Sequence, residues 1–326
     1  MLFFLQNAII RQLKRLVPDF LWEYSMARIQ GAYTAMITPM NADGSVDYDG
    51  LRKNVRFQLQ GGIDGLVPLG TTAETPTLEE HEEDEIIRIV MEEIADFEKS
   101  GGKKIPVILG SGSNSTRDAV RYAERAQAAG ADYALVVTPY YNKPSDEGIF
   151  RHFEAVSKVG IPVVIYNIQG RTGKNISTPL LERISMLPNM AGVKEASGNI
   201  SQMMEVIEKV KGRNPDFSVM SGDDALTLPL VACGGDGVIS VATNLIPSLM
   251  AELVHDCLAG DFESARKIQR RLQPFFRAEF CDGNPSSIKY AMKCKGLPSG
   301  VLRLPLVEVS DSAKKIIEDA VQSCGL

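Results

Sequence analysis

Only three of the 326 residues are histidine (His81, His152 and His255), and none stands in an H-E-x-x-H or similar ligand spacing. A metal-dependent chemistry therefore has no ligand set to start from, and none is expected. The five cysteines (Cys233, Cys257, Cys281, Cys294 and Cys324) are odd in number, widely spaced and free of any C-x-x-C. That pattern excludes a disulfide framework or a zinc site and predicts reduced thiols in the cytoplasm. Basic residues are not in excess: 35 Lys and Arg stand against 41 Asp and Glu, for a net charge of −6 and a pI near 5.3. No nucleic-acid partner is expected of such a surface. Long apolar runs are missing too. The longest uncharged run near the start, Met1 to Ile10, is too short to span a bilayer.

The first 25 residues differ from the rest. Met1 to Leu16 are apolar and basic (Arg11, Lys14, Arg15), with no acid before Asp19 and no small-residue cleavage site. They read as an amphipathic leader or, in preference, as an upstream start with the functional chain beginning near Met26. Residues 1–25 are set apart on this ground, and no function is assigned to them.

What is present from Gly31 onward is a succession of short continuous apolar runs. They fall at Ala32–Thr38, Gly65–Gly70, Pro106–Gly110, Tyr133–Thr138, Pro162–Asn167, Met190–Glu195, Ser218–Gly222 and Gly237–Ala242. Continuous rather than alternating hydrophobicity predicts parallel strands covered on both faces. The amphipathic stretches between them carry helix signals. Thr77-Leu78-Glu79-Glu80 fits a capping box, Ser115 begins a weaker acidic variant, and Gly61-Gly62, Gly130 and Gly160 sit at expected C-caps. Eight such units predict a (β/α)8 TIM barrel over residues 26–260, with a C-terminal helical extension over 261–326.

In such a barrel the chemistry lies where each strand stops. The sixth run ends in Lys194, followed by the small-residue turn Ala196-Ser197-Gly198. A buried ammonium is costly unless it gives up its proton, and a neutral amine attacks ketones to form Schiff bases. The second run ends in Gly70-Thr71-Thr72-Ala73-Glu74, whose exposed N–H groups and hydroxyls suit a carboxylate. The fourth ends in Thr138-Pro139-Tyr140-Tyr141-Asn142, the fifth in Tyr166-Asn167 with Arg171 after it, and the seventh in Ser221-Gly222-Asp223-Asp224. An amine, phenols, hydroxyls and a guanidinium on one mouth read as a Schiff-base lyase or aldolase. Other motifs fail. Gly110-Ser111-Gly112 has serine at the third glycine position of a dinucleotide fingerprint, and Gly170-Arg171-Thr172-Gly173-Lys174 lacks phosphate-loop spacing. The acidic run Glu79–Glu85, apart from His81, reads as a solvated helix start rather than a metal cluster.

These strand-end motifs, taken in order with Gly237-Val238-Ile239-Ser240, resemble the dihydrodipicolinate synthase / N-acetylneuraminate lyase family of class I aldolases. The match runs from about Gly31 to Leu326, and the double threonine and Arg171-Thr172-Gly173 point to the synthase branch. The resemblance implies a lyase, of the hydro-lyase class, that condenses pyruvate with aspartate-β-semialdehyde in lysine and diaminopimelate biosynthesis. Lys194 would hold pyruvate as a Schiff base, so no separate cofactor is expected. Tyr166, Thr71 and Tyr141 would relay protons, Tyr141 across a subunit interface. Thr72, Ile239 and Gly222 would line the pyruvate pocket, and Arg171 would grip the aldehyde's carboxylate. The family implies a homo-oligomer, a dimer or a tetramer built from tight dimers.

Some positions depart from the family pattern. Ala73 stands where glycine is usual, predicting strain if the turn needs positive φ. Ile168-Gln169-Gly170 replaces a proline-containing segment, predicting a looser Arg171. In the lysine-feedback region Asn114 and Tyr140 are kept, but Glu80 and Glu83 replace histidines and Asp118 replaces a glutamate, predicting weak or absent lysine inhibition. Gln169-Gly170 and Ala73 favour an alternative, a sibling pyruvate aldolase for a sugar acid or another 2-keto acid. A non-catalytic keto-acid-binding regulator is the alternative of another class, opposed by the presence of every expected catalytic side chain.

Overall fold

Eight short strands hydrogen-bond side by side, all parallel, in the order β2-β1-β8-β7-β6-β5-β4-β3. They are seen in a computed structural model that describes residues 28–326. The leader and the start near Met26 lie outside the described residues. The strands are β1 (Gly31–Ala35), β2 (Gly65–Val67), β3 (Ile108–Gly110), β4 (Tyr133–Val137), β5 (Val163–Asn167), β6 (Met190–Glu195), β7 (Ser218–Ser221) and β8 (Gly237–Ser240). Each lies within its predicted apolar run except β1, which starts one residue earlier, at Gly31. Between β2 and β3 the ring is fastened by an isolated bridge, Leu66 to Val107. There Leu66 N–H donates to the Pro106 carbonyl (3.1 Å) and Gly110 N–H to that of Pro68 (3.0 Å). The sheet is a (β/α)8 barrel.

The continuous apolar runs are explained by two separate faces. Tyr33, Val67, Ile108, Leu135, Val164, Tyr166, Met220 and Ile239 fill the interior. Leu66, Val136, Ile165, Val193 and Val219 face the helices. Those helices are α1 (Tyr48–Gln60), α2 (Glu80–Lys99), α3 (Thr116–Ala128), α4 (Asp146–Ser157), the single turn α5 (Gln169–Thr172), α6 (Thr178–Ser185), α7 (Ile200–Val206), α8 (Thr227–Ala232) and α9 (Pro247–Ala259). Beyond them α10 (Phe262–Ala278), α11 (Ser286–Cys294) and α12 (Asp311–Ser323) pack with α9 on a second apolar cluster that includes Ala32 of β1 and Val238 of β8.

The N-terminal signals hold with one shift. The Ser115 hydroxyl caps α3 by accepting from Asp118 N–H. The capping box of α2 is formed by Glu79 and Glu82 rather than Thr77 and Glu80, with Glu79 N–H donating to Glu82 at 3.0 Å. Thr77 is drawn away by its neighbours: its hydroxyl donates to the Glu74 carbonyl at 2.9 Å and ends a 3₁₀ turn. A carboxylate at the start of α2 also suits the helix dipole.

Candidate active site

Lys194 owes its direction to an irregularity in β6. Strand side chains alternate, and Met190 faces the helices while Ala191 faces the interior. Strict alternation from there would turn Lys194 outward. The pairing with β5 slips by one residue: Val163 lies beside Met190, but Val164 lies beside Gly192. The slip returns Val193 to the helix side and points Lys194 inward, as bulges do when they re-aim a side chain. A Cβ at Gly192 would stand 2.5 Å from the Ser218 carbonyl oxygen, so the close approach to β7 needs glycine here.

Lys194 is 5 % exposed, and its Nζ lies 4.4 Å from the centroid of the Tyr166 ring, the residue beside it on β5. Among the described residues no carboxylate pairs with it. Its neighbour Glu195, also buried, is directed elsewhere. That carboxylate accepts from Asn167 Nδ2 (2.9 Å), Ser197 N–H (2.8 Å) and Gln202 Nε2 (3.2 Å), tying the ends of β5 and β6 together. The lysine nitrogen is therefore held on an aromatic face with no carboxylate beside it.

Thr71, Tyr166 and Arg171 line one cavity of about 440 Å³ that runs outward past Gly112 and Tyr140 to Glu83 and Arg125. Lys194 is not on its wall and meets it through the Tyr166 ring. Thr72 is buried, and its hydroxyl accepts from Asn284 Nδ2 at 3.0 Å. The Thr72 hydroxyl proton remains available to an anion. Arg171 sits in the α5 turn, whose N–H groups at 171 and 172 donate back to the Ile168 carbonyl. Its guanidinium donates to the Asn284 carbonyl at 3.0 Å. Ile239 faces the barrel interior, and Gly222 N–H donates to the Glu195 carbonyl at 2.8 Å. A Cβ on Gly222 would lie 3.1 Å from Lys194 Cε, so this loop presses on the lysine stem. Six of the predicted residues thus gather around Lys194 at one barrel end.

Tyr141 is the exception. It is 89 % exposed, outside the cavity, at φ 71 in a turn where Asn142 N–H donates to the Tyr140 carbonyl at 2.8 Å. Positive φ in a bulky residue costs about 1–3 kcal/mol and calls for a compensating contact.

Residues 28–324 match the Dihydrodipicolinate synthetase family. The chain belongs to it. A 4-hydroxy-tetrahydrodipicolinate synthase of Protochlamydia amoebophila is 49 % identical over 285 residues, 87 % of this chain and 93 % of that one. A structure of the synthase from Cyanidioschyzon merolae with lysine bound superposes with a TM-score of 0.85 at 37 % identity, covering 91 % of this chain and 98 % of that one. A structure described as the first monomeric dihydrodipicolinate synthase variant gives 0.87 at 37 % identity, with 91 % and 97 % covered. Membership makes the chain an enzyme of an aldolase-type lyase family and gives no support to the sugar-acid or non-catalytic alternatives.

Two expectations drawn from departures within this synthetase family change with the structure. Ala73 carries no strain, because it is not a positive-φ position. It lies within the 3₁₀ turn Thr71–Ala73, and left-handed backbone falls on Leu69 (φ 55) and Glu74 (φ 58) instead. The segment before Arg171 is no open loop but the α5 turn, closed by Thr172 Oγ1 donating to the Ile168 carbonyl at 3.0 Å. In the feedback region, Glu80 pairs with Arg121 (2.5 Å), and Glu83 with Arg125. Burial raises the Glu83 pKa against the opposing pull of that arginine.

Sequence reasoning missed the residues that hold the threonine turn from the extension. Lys289 on α11, 2 % exposed, pairs with Glu74 at 2.7 Å and donates to the Thr38 and Val301 carbonyls. Asn284, just before α11, bridges Thr72 and Arg171 as described. The one local signal was Lys289, a charge among the buried positions Ile288, Ala291 and Met292 of α11.

Proposed function

We propose that this chain condenses pyruvate with aspartate-β-semialdehyde to give 4-hydroxy-tetrahydrodipicolinate, with net release of one water, which places it among the hydro-lyases. The observation that carries the reading is Lys194: a buried amine on the Tyr166 ring, pointed into the barrel by the slip in β6. Its nitrogen attacks the ketone carbon of pyruvate, and water leaves to form the imine. Loss of a methyl proton gives the enamine, whose carbon attacks the aldehyde. The amino group of the semialdehyde then adds to the imine carbon, and Lys194 departs as the free amine. Tyr166, Thr71 and Tyr141 carry the protons. Thr72 and Ile239 hold pyruvate, with Gly222 shaping the pocket, and Arg171 binds the second carboxylate, for which a planar fork is suited. The substrate supplies the imine carbon, so the proposal needs no cofactor or metal.

Tyr141 completes this relay in a neighbouring subunit, and the proposed assembly is a homodimer or a tetramer of dimers in the cytoplasm. The strained, exposed backbone at Tyr141 supports that placement. Lysine is proposed to inhibit weakly or not at all, since Glu80 and Glu83 are engaged by Arg121 and Arg125. Half-inhibition at sub-millimolar lysine would overturn this.

The test is borohydride reduction in the presence of pyruvate, read by intact mass and peptide mapping, followed by turnover with aspartate-β-semialdehyde. A pyruvyl adduct on Lys194 with rapid turnover is expected. An adduct without turnover would leave the Schiff-base step and discard the aldehyde. No adduct would discard both.

A further inference from the structure

Glu279, the residue that closes α10, is 0 % exposed, and neither of its carboxyl oxygens has a hydrogen-bond donor from an amide or hydroxyl. It faces Asp224, 2 % exposed, in the loop after β7. Asp224 Oδ2 accepts from Val241 N–H (2.9 Å) and Ala242 N–H (3.2 Å), while its Oδ1 has no such donor. Two carboxyls opposed in a dry pocket cannot both be ionised. Glu279, whose oxygens have no backbone donor, is the member that keeps a proton and gives it to the free oxygen of Asp224. Burial, then the charge of Asp224 and the hydrogen bond to it, hold Glu279 well above the ordinary carboxylate range. The charged groups facing Glu279 are Asp224 and, further off, Asp223, itself raised by burial and by Asp224.

The pair reaches the reacting centre by two short routes. Asp223 and Asp224 directly follow Gly222, whose backbone presses on the Lys194 stem. Val241 and Ala242 directly follow β8, whose Ile239 lines the barrel interior. α10 belongs to the extension, so the contact is where those helices meet both loops.

We propose that Glu279 is a positioning residue: as a neutral acid it donates to Asp224 and so fixes the loops after β7 and β8 against Lys194 and Ile239. The role rests on the Schiff-base reading given above. A neutral donor is what the position requires. Glu279→Gln keeps one at nearly the same size, and Glu279→Leu fills the space without one.

The sign with pH is set by the shared proton. The folded chain holds a proton that the unfolded chain gives up near 4.5, so stability falls as pH rises above that value until the folded acid itself ionises. Glu279→Gln has no such proton. Its melting temperature should therefore gain on that of the unaltered protein as pH rises above about 5.

The experiment measures the pyruvate dependence of borohydride trapping on Lys194 in the full chain and both variants, at neutral and alkaline pH, alongside melting. Glu279→Gln should match the unaltered protein at neutral pH and surpass it at alkaline pH. Glu279→Leu, equally helical by circular dichroism, should need on the order of tenfold more pyruvate for half-trapping, the loss expected of one hydrogen bond to a charged group. Equal pyruvate dependence in all three, with a melting difference that does not change with pH, overturns the positioning role alone. Absence of any adduct in the unaltered protein removes the Schiff-base reading and this role with it.

Discussion

At the N-terminal end of the barrel, Asp236 lies just before β8 with 0 % exposure, accepting from Val219 N–H at 2.8 Å and pairing with Lys211 at 2.8 Å and with Arg28. Asp64, just before β2, accepts from Ala32 N–H (2.9 Å), Lys103 (2.6 Å) and His255 (2.8 Å). At the other end, Lys194 rests on a ring rather than a carboxylate, Asn284 Oδ1 and the Glu279 oxygens lack donors, and Leu69, Glu74 and Tyr141 are left-handed. The same strands run between both ends. Charges at the base are matched, which serves stability, and the left-handed non-glycine residue there is Asn189, a residue type that tolerates such backbone. The mouth keeps polar atoms and strained turns incompletely matched, which is what a site needs in order to bind and react.

The contrast can be broken from either side. Lys194→Ala should lower turnover by about 10⁴-fold or more, while the melting temperature stays or rises, because a buried amine on an aromatic face is lost. Asp236→Ala should do the reverse. It leaves Lys211 uncompensated and the Val219 N–H unbonded, for a loss of about 3–5 kcal/mol in urea unfolding, with turnover per folded molecule retained. If Asp236→Ala lost activity faster than stability, the division of labour would be wrong.

Asn284→Ala is a milder test at the mouth. With the Thr72 contact gone, KM for pyruvate should rise on the order of tenfold, whereas Arg171, bound by the Asn284 backbone, should keep its affinity for the aldehyde. The smallest effect is at the base. The hydrogen bond that His255 donates to Asp64 raises the His255 pKa, so its contribution is complete below the ordinary histidine value of 6.5 and is lost as pH rises through the raised one. Unfolding of His255→Gln against the unaltered protein should therefore differ at pH near 6 and converge toward pH near 9, by less than about 1 kcal/mol for a half-exposed pair.

The strands were legible because burial on both faces leaves runs of apolar residues, and Lys194 was legible because it interrupts one. What the sequence hid is long-range or a matter of register. Asn284 and Thr72 are separated by 212 positions, and Lys289 and Glu74 by 215, so no spacing could announce those pairs. The slip at Gly192 is equally silent, since a glycine beside a strand end has many uses. Ala73 was misjudged for a local reason. The residues bearing positive φ stand at 69 and 74, on either side of a 3₁₀ turn that any small residue fits.

The joint between β2 and β3 makes the barrel a hoop with a clasp. Leu69 and Gly70 on one side of it and Leu109 and Gly110 on the other all border the cavity. A Cβ on Gly110 would stand 1.8 Å from the Leu69 carbonyl oxygen. Any side chain there acts as a wedge, levering the two strands apart and widening the entrance. The calibre of the pocket is thus set by a hydrogen atom where other residues carry a carbon.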